Sequence, residues 1–166
     1  MRRSIKTLAI AAVALIGLSS CAKPAPSITV FSADKSVHFE ALCWTQDGSP
    51  AIGSAGCSQQ EISAAVSGAD MPTLAVQPGK TLGISVDTDV AEAGWTPSII
   101  VNGQAQTLEA GILHKRYWSM TFPESTHGSF PATGYIIQIA ANGTTSGSSR
   151  GLWFVTITDG KTTDNA

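Results

Sequence analysis

Three cysteines and three histidines, with a few serine and lysine pairings, are the residues of this 166-residue chain whose types allow covalent or metal chemistry. Metal binding needs clustered ligands, and His38, His114 and His127 are scattered. Only His38 has a possible partner at ligand spacing, Glu40 on the same strand face, so the histidines read as solvated or second-layer side chains. A copper site of the cupredoxin kind wants a cysteine and a histidine close together late in the chain, and no cysteine follows Cys57. Ser32-Ala33-Asp34-Lys35 has the SxxK form but lacks the SDN and KTG partners that chemistry requires. Gly79-Lys80-Thr81 ends like a phosphate-binding loop, yet its first glycine would fall on Leu74, so it reads as a turn. No GxSxG elbow is present. The expectation is therefore no catalytic residue, no cofactor and no metal.

The cysteines carry more information. Cys21 closes Leu18-Ser19-Ser20-Cys21, after Arg2, Arg3 and Lys6 and an apolar run of 11 residues from Leu8 to Leu18. A basic n-region, a short apolar h-region and small residues at the cut make a secretory signal, and the run is well short of the roughly 20 residues a spanning helix needs. With cysteine at the cut, the segment resembles the lipobox of bacterial lipoproteins. That resemblance implies diacylation of the Cys21 thiol, cleavage before it, and a mature chain tethered by its first residue. Ser20 is small enough for ordinary cleavage, so a signal without lipid is the rival reading. The host such a lipobox implies is bacterial, which makes Asn142-Gly143-Thr144 loop chemistry rather than a glycosylation site.

Removing residues 1–20 leaves 146 residues, enough for one domain with a proper core. The whole chain carries −2, and the signal holds three of its ten basic residues, so the mature part has seven basic against twelve acidic, net −5. That balance argues against nucleic acid as a partner and against electrostatic adhesion to anionic lipid. With Cys21 acylated, Cys43 and Cys57 are the two cysteines left on an exported chain, and a disulfide is their expected use. Two unpaired buried thiols are the alternative.

The elements that must position these residues are mostly strands. Ser27 to Ser32, Ser36 to Trp44, Thr73 to Val76, Thr81 to Val86, Pro97 to Val101, Gln104 to Leu108, Lys115 to Phe122, Thr133 to Ala140 and Gly151 to Thr158 are β-rich or alternate. The second of them places Val37, Phe39, Ala41 and Cys43 on one face and so carries Cys43 toward the core layer. Gln77-Pro78-Gly79-Lys80 and Asn102-Gly103 are turns between strands. Ser58 to Val66 reads as a short helix capped by Ser58 and Glu61, or as a strand. Asp87 to Gly94 reads as one helical turn that delivers Trp95. Eight or nine strands without sustained helical period predict an all-β chain, an antiparallel immunoglobulin-like β-sandwich preceded by a signal peptide helix. The expected division is a signal over 1–20, a tether over 21–26, the sandwich over 27–158 and a polar tail over 159–166. The last hairpin is apolar on both faces, which places it mid-sheet.

Three residues could present aromatic or polar surface to a ligand: Trp95, and His127 and Phe130 in the loop from Pro123 to Ala132. A core plug closing one end of the sandwich is the competing reading for Trp95. The lipobox, the Cys43/Cys57 pair, Val76-Gln77-Pro78-Gly79-Lys80-Thr81, Ile84-Ser85-Val86-Asp87, Val90-Ala91-Glu92-Ala93-Gly94-Trp95, Val101-Asn102-Gly103-Gln104 and Gly151-Leu152-Trp153 together resemble an uncharacterised family of actinobacterial lipoproteins, a domain of unknown function. The resemblance implies a host lineage and a site on the extracytoplasmic face of the cell membrane, and it carries over no functional residue. The functional expectation is a monomeric, lipid-anchored, non-enzymatic module that binds or organises an envelope protein, glycan or lipid. A carrier for lipid or lipoglycan with an internal apolar cavity is the second class, and a small envelope enzyme the third.

Overall fold

A computed structural model of the chain describes residues 23–51, 57–67, 71–122 and 134–160. Two sheets pack face to face into an all-β sandwich, as the strand count and turn chemistry predict. Ten strands are present among the described residues, against the eight or nine expected: β1 (Ser27–Ser32), β2 (Lys35–Glu40), β3 (Cys43–Trp44), β4 (Thr73–Val76), β5 (Thr81–Val86), β6 (Trp95–Val101), β7 (Gln104–Thr107), β8 (Tyr117–Thr121), β9 (Tyr135–Asn142) and β10 (Ser149–Asp159). The first sheet runs in the order β2, β1, β5, β8. In the second, β10, β9, β6 and β7 are neighbours in that order, while β3 and β4 share the far edge of β10.

The extra strand arises because the stretch Ser36 to Trp44 is two strands, not one. Its side-chain alternation runs only as far as Ala41, and β2 pairs with β1 only as far as Glu40, which faces Ser27. Pro26 precedes Ser27 and has no N–H to extend the ladder, so the chain leaves the first sheet there. It joins the second within two residues: Leu42 N–H donates to Leu152 O (2.8 Å) and Thr45 N–H to Arg150 O (2.9 Å). Alternation sets which way side chains face, not which neighbour the backbone finds. A second departure is β4, which runs parallel to β10 in a sandwich otherwise paired antiparallel. The chain between β3 and β4 includes α1 (Gln59–Val66) and returns to the same edge of β10 in the opposite sense.

Residues 58–66, readable as helix or strand, are helical from Gln59. The capping box decides it: Glu61 N–H donates to Ser58 Oγ (3.2 Å) while Ser58 N–H donates to Glu61 Oε2 (2.7 Å). Those bonds from Ser58, its N–H first and its hydroxyl second, hold the Glu61 carboxyl below the usual glutamate range. Since the carboxylate closes the box, the cap is intact above the ordinary glutamate pKa and is lost as pH falls through the lowered value. Ser58→Ala should cost about 1 kcal/mol in urea unfolding at neutral pH, and that difference should shrink in acid.

The core between the sheets holds Ile28, Val30, Leu82, Ile84 and Trp118 from one side and Trp95, Ile137, Ile139, Trp153, Val155 and Ile157 from the other. Parity along β10 explains why it is buried on both faces. Trp153, Val155 and Ile157 point inward, whereas Leu152 and Phe154 point outward into a second apolar cluster with Ala65, Ile62 and Val66 of α1. Cys43, opposite Leu152 in the register, belongs to this outer cluster and not to the core layer its alternation predicted. It pairs with Cys57, with Cα atoms 5.3 Å apart and a sequence separation of 14. Trp44, one residue on, turns inward opposite Gly151, where a Cβ would stand 2.5 Å from its ring. A disulfide closing a loop of this size contributes about 3 kcal/mol. Replacing both cysteines by serine should lower unfolding stability by about that amount, and reductant should move the wild type, not the variant.

Candidate functional site

One apolar groove of about 290 Å³ opens beside α1, outside the sandwich. Its walls are Phe39 and Glu40 at the end of β2, Leu42 where the chain crosses between sheets, and Ala64 and Ala65 of α1; Met71 and Pro72 close one side and Phe154 takes part in the lining. Each wall has a local cause. The disulfide joins Cys43, next to Leu42, to Cys57, next to the helix cap, so it fixes the two walls against each other. Small side chains at 64 and 65 keep the helix face shallow, and Glu40 and Glu61 give the groove an acidic border. The volume lies at the lower edge of small-molecule sites, about 300–1,000 Å³, which suits a short apolar segment rather than a whole diacyl lipid.

The second region is the end of the sandwich where the described chain begins. Lys23 forms an ion pair with Asp89 of α2 (Thr88–Ala93), and its carbonyl accepts from Gln46 Nε2 (3.1 Å). Pro26 O accepts from the buried indole of Trp153 (3.2 Å), and Ser27 N–H donates to Asp87 Oδ2 (2.8 Å). The part of the expected tether that is described, Lys23 to Pro26, is thus held to the domain. Arg150 lies close by, its guanidinium donating to the carbonyls of Thr45 (2.7 and 3.1 Å) and Gln46 (2.8 Å) and stacked 4.2 Å over Trp44. Ser49, first through its N–H and then through its hydroxyl, holds the Asp47 carboxyl below the usual aspartate range. Asp47 and Glu61 are both exposed and bound within their own turn and cap.

Trp95, expected as a candidate surface residue or a core plug, is fully buried, and its indole donates to Lys115 O (2.9 Å). The structure therefore removes it from the candidate binding surface. Gly94, at φ +81°, turns the chain so that the ring enters between the sheets, and a Cβ there would strike Ile112 and His114. His127 and Phe130 lie outside the described residues, as does Cys21. The flanks of their loop are described: Phe122 N–H donates to Lys80 O (2.8 Å) and Gly134 approaches Ile157, both at the end of the sandwich opposite Pro26. His38 Nδ1 meets Thr29 Oγ1 at 3.0 Å on an exposed sheet face. Among the described residues no three His, Cys, Asp or Glu side chains gather at metal-binding distance.

The groove has no counterpart in the sequence reading. Its walls come together only because the chain changes sheets at Ala41-Leu42 and α1 lies over the outside of β10, and neither event leaves a local residue signal. In comparisons with known proteins, no family model, no curated protein and no solved structure matched the chain.

Proposed function

We propose that this chain is a lipid-anchored protein of the bacterial cell envelope whose sandwich serves as a non-enzymatic binding or scaffolding module. One observation carries the reading: a signal-like segment ends at Cys21, and the folded domain takes hold of the chain by Lys23. A lipidated cysteine in that position makes the domain itself the first thing above the membrane. The Cys43–Cys57 pair suits the oxidising side of the membrane. Binding is the reading the apolar groove favours, since its lining offers surface to a partner and Glu61 at its border is committed to the helix cap. The test is recovery from intact envelope after cross-linking. The acylated chain should come from the membrane fraction together with a stoichiometric envelope component, and the Cys21→Ala form without it. Recovery from the cytosol, or an anchored chain that is always alone, speaks against the proposal.

A carrier of lipid or lipoglycan is the second reading, and the apolar groove, with room for one short apolar segment, is the site it would use. The groove lies outside the sandwich and is small, whereas the interior between the sheets is occupied by side chains almost without exposure. Chain purified from membranes in mild detergent should then retain one lipid per protein by native mass under the carrier reading, and none under the module reading.

A further inference from the structure

We infer that the end of the sandwich bearing Lys23 lies against the lipid surface that holds the anchor, with Leu42 and Ile112 as its apolar contacts, and that the opposite end is presented to the envelope. The inference rests on acylation of Cys21. Only two residue steps separate Cys21 from Lys23, so the α-carbon of Lys23 cannot stand farther than about 7 Å from that of the acylated residue. Lys23 in turn forms an exposed ion pair with Asp89 and its carbonyl accepts from Gln46 Nε2, so the chain meets the domain at this residue.

A second observation agrees and is independent of the anchor. Among the described residues the exposed large apolar side chains are Leu42, Ile112 and Tyr117, at 41%, 57% and 47% of full exposure. Leu42 and Ile112 stand at this one end, whereas the Tyr117 ring stacks on Phe31 over the outer face of the first sheet, 6.0 Å between centroids. Leu42 lies two residues after Glu40, the partner of Ser27, and Ile112 precedes Leu113, which bonds to Trp95 at the start of β6. Large aliphatic side chains are among the types that enter the headgroup boundary. Polar turns stand at both ends, Ala33-Asp34, Gln77 to Lys80 and Asn102-Gly103 at the far one and Asp47-Gly48 and Thr144 to Gly147 at the near one, so the exposed Leu42 and Ile112 are what sets the near end apart. A strand of eight residues such as β9 spans roughly 25 Å, so the far end stands clear of the headgroups.

Lys23 and Arg150 are both engaged within the protein, and the mature chain is net acidic, so charge does not supply the contact. Reach and apolar area do.

The experiment uses full-length acylated protein in vesicles of phosphatidylethanolamine and phosphatidylglycerol containing a headgroup-nitroxide lipid. A fluorophore is placed through Glu92→Cys, exposed on α2, or through Gln104→Cys, exposed at the far hairpin. Quenching should be at least fivefold greater at position 92 than at 104. Adding Leu42→Ser and Ile112→Ser should reduce it at 92 at least twofold and leave 104 unchanged. Equal quenching at the two positions, or stronger quenching at 104, overturns the orientation; unchanged quenching at 92 in the serine variant overturns the role of the side chains. The acyl mass on Cys21 is read on the same samples. Its absence overturns the anchor and the orientation together, whereas an acylated chain with equal quenching overturns the orientation alone.

Discussion

Cys21→Ala should abolish incorporation of labelled fatty acid and remove the mature domain from the membrane, if the proposed anchor is the one the chain uses. The magnitudes make this all-or-none. Each buried CH₂ contributes about 0.8 kcal/mol and two acyl chains give stable anchoring, whereas burying a leucine or isoleucine contributes only about 1.5–3 kcal/mol. Leu42 and Ile112 can therefore orient a domain that is already tethered but cannot hold it alone. Metabolic labelling with palmitate, followed by fractionation, reads both effects. Label persisting on the alanine variant would place the acyl group elsewhere.

Trp153→Ala should remove about 3–5 kcal/mol of unfolding stability, the range for truncating a buried tryptophan to alanine. That is a large share of the 5–15 kcal/mol a domain of this kind possesses. Trp153 is fully buried, its ring meets Trp44 at 5.9 Å between centroids, and it sits on β10, the strand on which β3, β4 and β9 all pair. Trp153→Phe separates packing from hydrogen bonding. It keeps most of the volume and loses the N–H bond to Pro26 O, so it should cost about 1 kcal/mol from the bond, together with a small packing loss. Urea unfolding followed by circular dichroism gives both numbers. Equal losses for the two variants would mean that the bond to the N-terminal segment, rather than the core, dominates.

Turns and caps were legible because their chemistry is local. Gly79 at φ +78° follows Pro78 and closes a turn in which Lys80 N–H donates to Gln77 O, as a Pro-Gly centre predicts. Asn102 and Gly103, at φ +52° and +76°, make the turn between β6 and β7. Ser58 and Glu61 place the start of α1 through their own side chains. The strand path was not legible where partners are distant. Nothing within Ser36 to Trp44 reveals that its halves pair with β1 and β10, strands more than a hundred residues apart in sequence. The parallel bond of β4 to β10 is equally remote.

The same division holds for the candidate surfaces. Trp95 followed a glycine among polar residues, a context that fits a rim or a plug, and only the register of β6 against β9 decides for the plug. The apolar groove and the placing of Leu42 and Ile112 at one end depend on elements far apart in sequence, so both emerged from the fold. Cys21 is the reverse case: its proposed role rests on its neighbours in sequence and on nothing in the sandwich.

The mass of the mature N-terminal peptide, taken from protein extracted from membranes, bears on everything above. A chain that starts at Cys21 and carries two or three fatty acyl groups on that residue is what an anchored envelope domain requires. A chain that starts at another residue, or at an unmodified Cys21, would leave a secreted or cytosolic β-sandwich with no reason to face a membrane.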